Sequence, residues 1–189
     1  MKTFQLEGSK RDSIGKKAAK AYRSESLLPG VLYGGDEVIH FTVSKEGIRK
    51  LIYTPEIYIV NLTISGKSYT ALLKDAQYHP VSDELLHVDF LQVFENKPVV
   101  IEIPIALEGL AEGVKAGGKL SLEMRKLKVK GLYKDFPEKL VINIEDLGLG
   151  KTIQAGSLQF DKLELLNAKD NVVAAVKLTR AARGAAAKA

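Results

Sequence analysis

Val99, Ile101, Ile103, Ile105 and Leu107 alternate with other residues over nine positions, the period of a strand with one buried face. Leu127 and Val129 alternate in the same way with Lys126, Lys128 and Lys130. Leu140 to Ile144, Ser157 to Leu166 and Val172 to Leu178 continue the series between Gly, Asn and Asp clusters, so the second half reads as mainly antiparallel β. In the first half, Leu28 to Gly35 reads as a short strand closed by a Gly34-Gly35-Asp36 turn, with Val38 to Val43 as its hairpin partner. Ser44 suits an N-cap, and Ile48, Leu51 and Ile52 fall at helical spacing, which predicts one short amphipathic helix over Lys45 to Tyr53. Ile57 to Ser65 and Lys67 to Gln77 flank Ser65-Gly66-Lys67 and predict a second hairpin, and Leu85 to Val93 supplies another strand. Glu95-Asn96-Lys97-Pro98 breaks the apolar pattern with turn-forming residues and marks a linker. The expected organisation is mainly β with minor helix: domains over 1–94 and 95–179, then a loose basic tail over 180–189.

With 46% hydrophobic and 27% charged residues, the 189-residue chain carries enough apolar surface for packed cores and too much for wholesale disorder. The absence of cysteine excludes a disulfide framework, thiolate metal sites and cysteine nucleophiles, and it fits a reducing compartment. Apolar runs such as Ile57 to Ile64 are far shorter than the ~20 residues of a membrane helix. Met1 to Ser9 holds no signal-peptide run, so a cytoplasmic protein without a membrane partner is expected. The net charge of +5 is unevenly spread: Met1 to Arg23 contains seven basic and two acidic residues, leaving the remainder nearly neutral. Lys10, Arg11, Lys16, Lys17, Lys20 and Arg23 lie among Gly8, Ser9, Ser13 and Gly15, a mixture that predicts a mobile basic loop over a packed strand, with a short helix over Ala18 to Arg23. A solvated loop and a phosphate-binding arm both fit this cluster.

Other chemistry finds little support. Gly113 to Lys119 has the glycine spacing of a phosphate-binding loop, but Leu120 stands where a hydroxyl should hold magnesium. Gly150-Lys151-Thr152 ends correctly, yet Glu145 occupies the first glycine position, and glycine-rich β-turns account for both. His79, His87 and Asp89 fall within eleven residues, but a strand supplies only His87 and Asp89 to one face, so a metal would need another ligand from elsewhere. No Gly-x-Ser-x-Gly elbow occurs, and an enzyme, a cofactor and a small-molecule substrate are not expected. In His87-Val88-Asp89-Phe90, Val88 and Phe90 should face the core, with His87 and Asp89 outward as a polar pair. Placed in one domain with Tyr33 and basic residues, that pair acquires a use. Cations neutralise phosphates, tyrosine stacks or donates, histidine donates, and aspartate accepts from amino groups or orients an arginine. RNA readout suits such a set, because irregular RNA exposes 2′-hydroxyls and unusual base edges.

The arm from Lys10-Arg11 through Gly15-Lys16 to Arg23, the run Leu28 to Gly35, Asp75 to Pro80, and Leu86-His87-Val88-Asp89-Phe90 together resemble the bacterial large-subunit ribosomal protein L-twenty-five family. The second half resembles its longer branch, the general stress or CTC type. The resemblance implies a six-stranded N-terminal β-barrel that binds 5S ribosomal RNA at loop E, and a separate β domain in the large ribosomal subunit. By position it implies RNA contacts from Arg11, Lys16, Lys20 and Arg23, with Lys10 and Lys17 in the same arm, and from Tyr33, Gln77, His79, His87 and Asp89. The family often has adjacent basic residues where this chain reads Lys20-Ala21, which leaves one contact to Lys17 or to none. The alternative is a protein-docking module, in which the Lys126, Lys128 and Lys130 face meets neighbouring ribosomal proteins.

Overall fold

The computed structural model describes residues 1–179, and they divide into two compact units between Lys97 and Pro98. The basic tail expected at 180–189 lies outside the described residues.

The first unit contains β1 (Lys2–Lys10), α1 (Lys16–Ser24), β2 (Leu27–Tyr33), β3 (Ile39–Ser44), α2 (Lys45–Ile52), β4 (Tyr58–Ile64), β5 (Lys67–Tyr78) and β6 (Leu85–Gln92). Its six strands close into a barrel in the order β1-β3-β2-β6-β5-β4. Closure needs two parallel pairs, β1 with β4 and β2 with β6, and it leaves no free sheet edge. The predicted hairpins and the helix after Ser44 appear within a residue or two of their expected bounds. Alternate residues Leu28, Leu32, Phe41, Val43, Val60, Leu62, Val88 and Phe90 point inward and are almost fully buried, and α2 plugs the barrel with Ile48 and Leu51.

The N-terminal segment corrects the expectation of a mobile loop. Lys2–Lys10 is a barrel strand, paired with β4 from Lys2 to Gly8 and with β3 from Gly8 to Lys10. Phe4 and Leu6 supply the apolar alternation and Gly8 lets the chain pass close to Phe41, while Thr3, Gln5, Glu7 and Ser9 occupy the outer positions. The charges and Gly8-Ser9 masked that alternation. Only Arg11 to Gly15 is irregular before α1 begins, two residues earlier than expected.

Gly30 shows how tightly the barrel is filled, since a β-carbon there would lie 2.9 Å from Phe41 Cζ and 3.0 Å from Val88 Cγ2. Two buried side chains would have to yield. Gly30→Ala should therefore destabilise the unit by about 1–3 kcal/mol in a denaturant melt, the usual cost of overpacking.

The second unit holds β7 (Val99–Glu108), α3 (Glu112–Lys115), β8 (Lys119–Leu122), β9 (Lys126–Gly131), β10 (Leu140–Asn143), β11 (Thr152–Gln154), β12 (Glu164–Leu165) and β13 (Val172–Lys177). They form a four-stranded sheet β10-β7-β9-β12 and a three-stranded sheet β11-β13-β8. Pairing is antiparallel except for β10 on β7. The long strand expected over Ser157 to Leu166 is reduced to Glu164–Leu165, with a 3-10 turn at Ala155–Ser157. Lys162 takes a positive φ of 61°, and Phe160 pairs back on Leu163, so the chain folds on itself before it reaches β9. The two glycine-rich loops are also more ordered than simple turns: the first contains the short α3, and the strands β8 and β11 begin at their ends.

Candidate nucleic-acid interface

Helix α1 sorts its side chains by helical periodicity. Ala18, Ala19, Tyr22 and Arg23 are half-buried towards the barrel, while Lys16, Lys17 and Lys20 are exposed on the opposite side. The helix packs on β2, and this cover explains why Pro29 and Thr42 are buried although they occupy outer barrel positions. No acidic residue lies in its first turn, and Gly15 provides no side-chain cap. Lysines at a helix N-terminus oppose the macrodipole, so local helix stability does not explain Lys16 and Lys17. Among the described residues, no ion pair engages Lys16, Lys17 or Lys20.

The C-terminal end of α1 is tied down. Arg23 Nη1 donates to the Leu86 carbonyl at 3.3 Å, and Lys45 Nζ donates to the Arg23 carbonyl at 3.2 Å and to the Glu84 carboxylate. Arg23 is therefore partly spent on the fold and anchors α1 to the start of β6. The hydrogen bond and charge of Lys45 hold the Glu84 carboxyl below its usual range. Because the folded value is depressed, the clamp is intact above the ordinary carboxylate range and is lost as pH falls through the lowered value. In Lys45→Met, an NMR titration should find the Glu84 midpoint moved back up.

Beside α1 the outer faces of β2, β6 and β5 form a polar surface. Gln77 pairs in register with His87, and Asp75 and Val31 both pair with Asp89. His87 Nδ1 lies 2.7 Å from Asp89 Oδ1, and both side chains are half-buried. A carboxylate only accepts, so His87 donates through Nδ1, and Nε2 is the acceptor nitrogen of the neutral ring. Tyr33 closes β2 near this pair, and burial, followed by the charges of Asp89 and Asp75, raises its hydroxyl pKa and keeps it a donor. His79 sits in the β5–β6 turn, where its Nδ1 accepts the backbone N–H groups of Val81 and Ser82 at 3.3 and 3.2 Å. Its Nε2 is thereby the protonated nitrogen of the neutral ring.

The structure thus brings Tyr33, Gln77, His87 and Asp89 onto one surface flanked by the lysines of α1, with His79 in the turn that continues it. Lys10 and Arg11 lie elsewhere, at the end of β1, which two strands separate from β6. The Lys10 amide donates to Ser65 Oγ at 3.2 Å, and the Arg11 amide to the His40 carbonyl at 3.0 Å. The Arg11 guanidinium lies over the Tyr22 ring at 6.0 Å, and its Nε and Nη1, like His40 Nδ1, are buried without a hydrogen-bond partner among the described residues. Sequence reasoning missed His40, Asp75 and Tyr22. His40 was legible in principle, since it alternates with the inward Ile39, Phe41 and Val43. Asp75 was obscured by the register shift between Leu73 and Asp75.

In the second unit, Lys128 lies 3.6 Å from Glu102 and Lys130 lies 3.1 Å from Glu164. This face has mixed charge and is not a bare phosphate track. Among the described residues, no group of His, Asp or Glu is arranged to hold a metal, and no helix is long and apolar enough to cross a membrane.

Comparison with known proteins agrees with this division. A family model described as the Ribosomal L25p family matches residues 6–90, and one described as the C-terminal domain of ribosomal protein TL5 matches residues 98–180. The chain is 72% identical over 184 residues to the large ribosomal subunit protein bL25 of Azobacteroides pseudotrichonymphae, covering 97% of each chain. It is 60% identical to bL25 of Parabacteroides distasonis, covering all of both chains. It is 63% identical to bL25 of Porphyromonas gingivalis, covering all of this chain and 99% of the relative. Ribosome association follows, in a family of structural proteins and not of enzymes. The chain belongs to the bL25 family of large-subunit ribosomal proteins.

Proposed function

We propose that the barrel unit binds 5S ribosomal RNA in its loop E region and so joins that RNA to the large subunit. The observation that carries this reading is the juxtaposition of three exposed lysines on α1, without an ion-pair partner among the described residues, with the Tyr33, Gln77, His87 and Asp89 surface. The lysines supply phosphate neutralisation, and the neighbouring surface supplies fixed donors and acceptors. Irregular RNA is the nucleic acid whose groove and base edges such a surface can reach. His79 Nε2 and the Arg11 side chain extend the contact at its two ends, Lys10 stands beside Arg11, and the free donors of Arg23 border the lysines.

The second unit is a protein-docking module for neighbouring ribosomal proteins. The alternation of Lys128 and Lys130 with Glu102 and Glu164 favours a protein surface of mixed charge over a phosphate backbone. Truncation after Lys97 tests the division of labour. The barrel alone should keep 5S RNA affinity within about threefold of the full chain, by the free-energy scale of binding. A loss of a hundredfold or more would transfer the RNA site to the second unit.

A further inference from the structure

The barrel has no sheet edge, but the two sheets of the second unit have four, and they differ in how they are protected. In the three-stranded sheet, β11 is three residues long with a register shift between Ile153 and Gln154, and β8 opens on Lys119. In the four-stranded sheet, β12 has only two residues. Short length, irregular register and lysine are the usual devices that keep an edge from pairing. The remaining edge, β10, reads Leu140-Val141-Ile142-Asn143, with no charge, no proline and an unbroken register on β7.

The β7 ladder fixes which groups of β10 are idle. In a parallel pair alternate residues bond to the neighbour, and the Ile144 N–H donates to the Glu108 carbonyl at 3.0 Å. Leu140 and Ile142 therefore share that side, and the N–H and C=O groups of Val141 and Asn143 point away from the sheet. Among the described residues no hydrogen bond engages these four groups. Both residues are exposed, the Val141 side chain included, while buried Leu140 and Ile142 hold the strand in place.

The surrounding charges select what can pair there. Glu108 is the register partner of Asn143, Glu145 and Asp146 follow the strand, and the Glu112 amide donates to the Glu145 carbonyl. All four carboxylates are exposed and, among the described residues, none has an ion-pair partner. Lys139 is the cation that adjoins them in sequence. Such a border repels a nucleic acid and favours a cationic strand. A second copy of the chain would bring its own carboxylates towards these, which disfavours self-pairing.

We propose that the β10 edge receives an extended protein segment rich in lysine or arginine as an added strand, its main chain bonded to Val141 and Asn143 and its cations beside Glu108 and Glu145. This rests on the reading of the second unit as a protein-docking module, and it names the docking edge and the chemistry of the partner.

The experiment titrates the isotope-labelled full chain with a short capped peptide alternating lysine and valine, and with its counterpart carrying glutamate for lysine. The lysine peptide should shift the amides of 139–145 saturably, with a Kd below ~1 mM. The glutamate peptide should bind at least about tenfold more weakly, the gap narrowing as salt rises. Val141→Pro removes an N–H that the fold does not use, a change edge strands tolerate, and should weaken the lysine peptide about tenfold, the scale of one or two hydrogen bonds. A thermal melt checks folding. Should that variant melt early, Val141→Lys serves instead, weakening the lysine peptide about three- to tenfold and favouring the glutamate one.

Silent β10 amides, or amides that respond to 5S RNA and not to the peptide, would overturn the proposal. Equal binding of the two peptides would overturn the basic partner. Affinity unchanged in a folded Val141→Pro would leave an ion pair without an added strand. Shifts of the same amides on concentrating the protein alone would give the edge to a second copy. The parent reading fails separately, through a hundredfold loss of 5S RNA affinity on truncation after Lys97; if that affinity survives while the β10 amides stay silent, the edge alone is refuted.

Discussion

Replacing Lys16, Lys17 and Lys20 together by alanine should lower 5S RNA affinity about 10²- to 10³-fold at low salt while leaving the barrel at least as stable as before. The affinity loss follows from removing three exposed cations that have no partner among the described residues. Each charge-assisted contact is worth on the order of 1–1.5 kcal/mol, and about 1.4 kcal/mol is tenfold. The slope of log affinity against log salt should become shallower by about 2 to 3, since each phosphate contact contributes roughly 0.7 to 0.9. Stability should move the other way. The lysines at the N-terminal end oppose the dipole of an uncapped helix, and alanine is the better helix former. Parallel salt-dependent binding and thermal melts check both halves. A general unfolding defect would lower both quantities together, so their divergence identifies the lysines as contacts.

Phe90→Ala should remove about 3–5 kcal/mol from the stability of the barrel, a large share of the ~5–15 kcal/mol typical of a domain. Phe90 is fully buried and packs against Phe41 with ring centroids 5.9 Å apart and planes tilted by 52°. Its strand also carries His87 and Asp89 on the opposite face, so a cavity behind Phe90 loosens the support of the candidate interface. For a domain of this size the loss corresponds to a fall in midpoint of roughly 10–30 °C. Calorimetry measures it directly. Phe90→Leu should lie well between the two, because it keeps most of the buried volume.

Strand positions were legible wherever one face is uniformly apolar, as in Ile39-Phe41-Val43 and Val99-Ile101-Ile103. The first strand was not, because only Phe4 and Leu6 carry its alternation and a cluster of charges follows directly. The pairing of His87 with Asp89 could be read from their two-residue spacing on a strand. Which residues stand beside them could not. Alternation assigns a side chain to a face, but the neighbours depend on the barrel order, and the parallel pair β2–β6 brings Tyr33 next to Leu91 across more than fifty residues of sequence. The family resemblance supplied Gln77 and the RNA-contact role of His79, whereas His40, Thr42 and Tyr22 came only with the structure. The segment Ser157 to Leu166 was overextended because its apolar residues line a tight return of the chain and not a continuous ladder.

Binding of the full chain to 5S RNA, compared with an unrelated RNA of equal length across a salt series, tests the central claim most directly. Selective binding that persists at physiological salt, with a slope corresponding to several phosphate contacts, is the result predicted for α1 and the Tyr33–Gln77–His87–Asp89 surface acting together. Equal, weak binding to both RNAs that disappears as salt rises would reduce the lysines to a generic polycation and contradict the account.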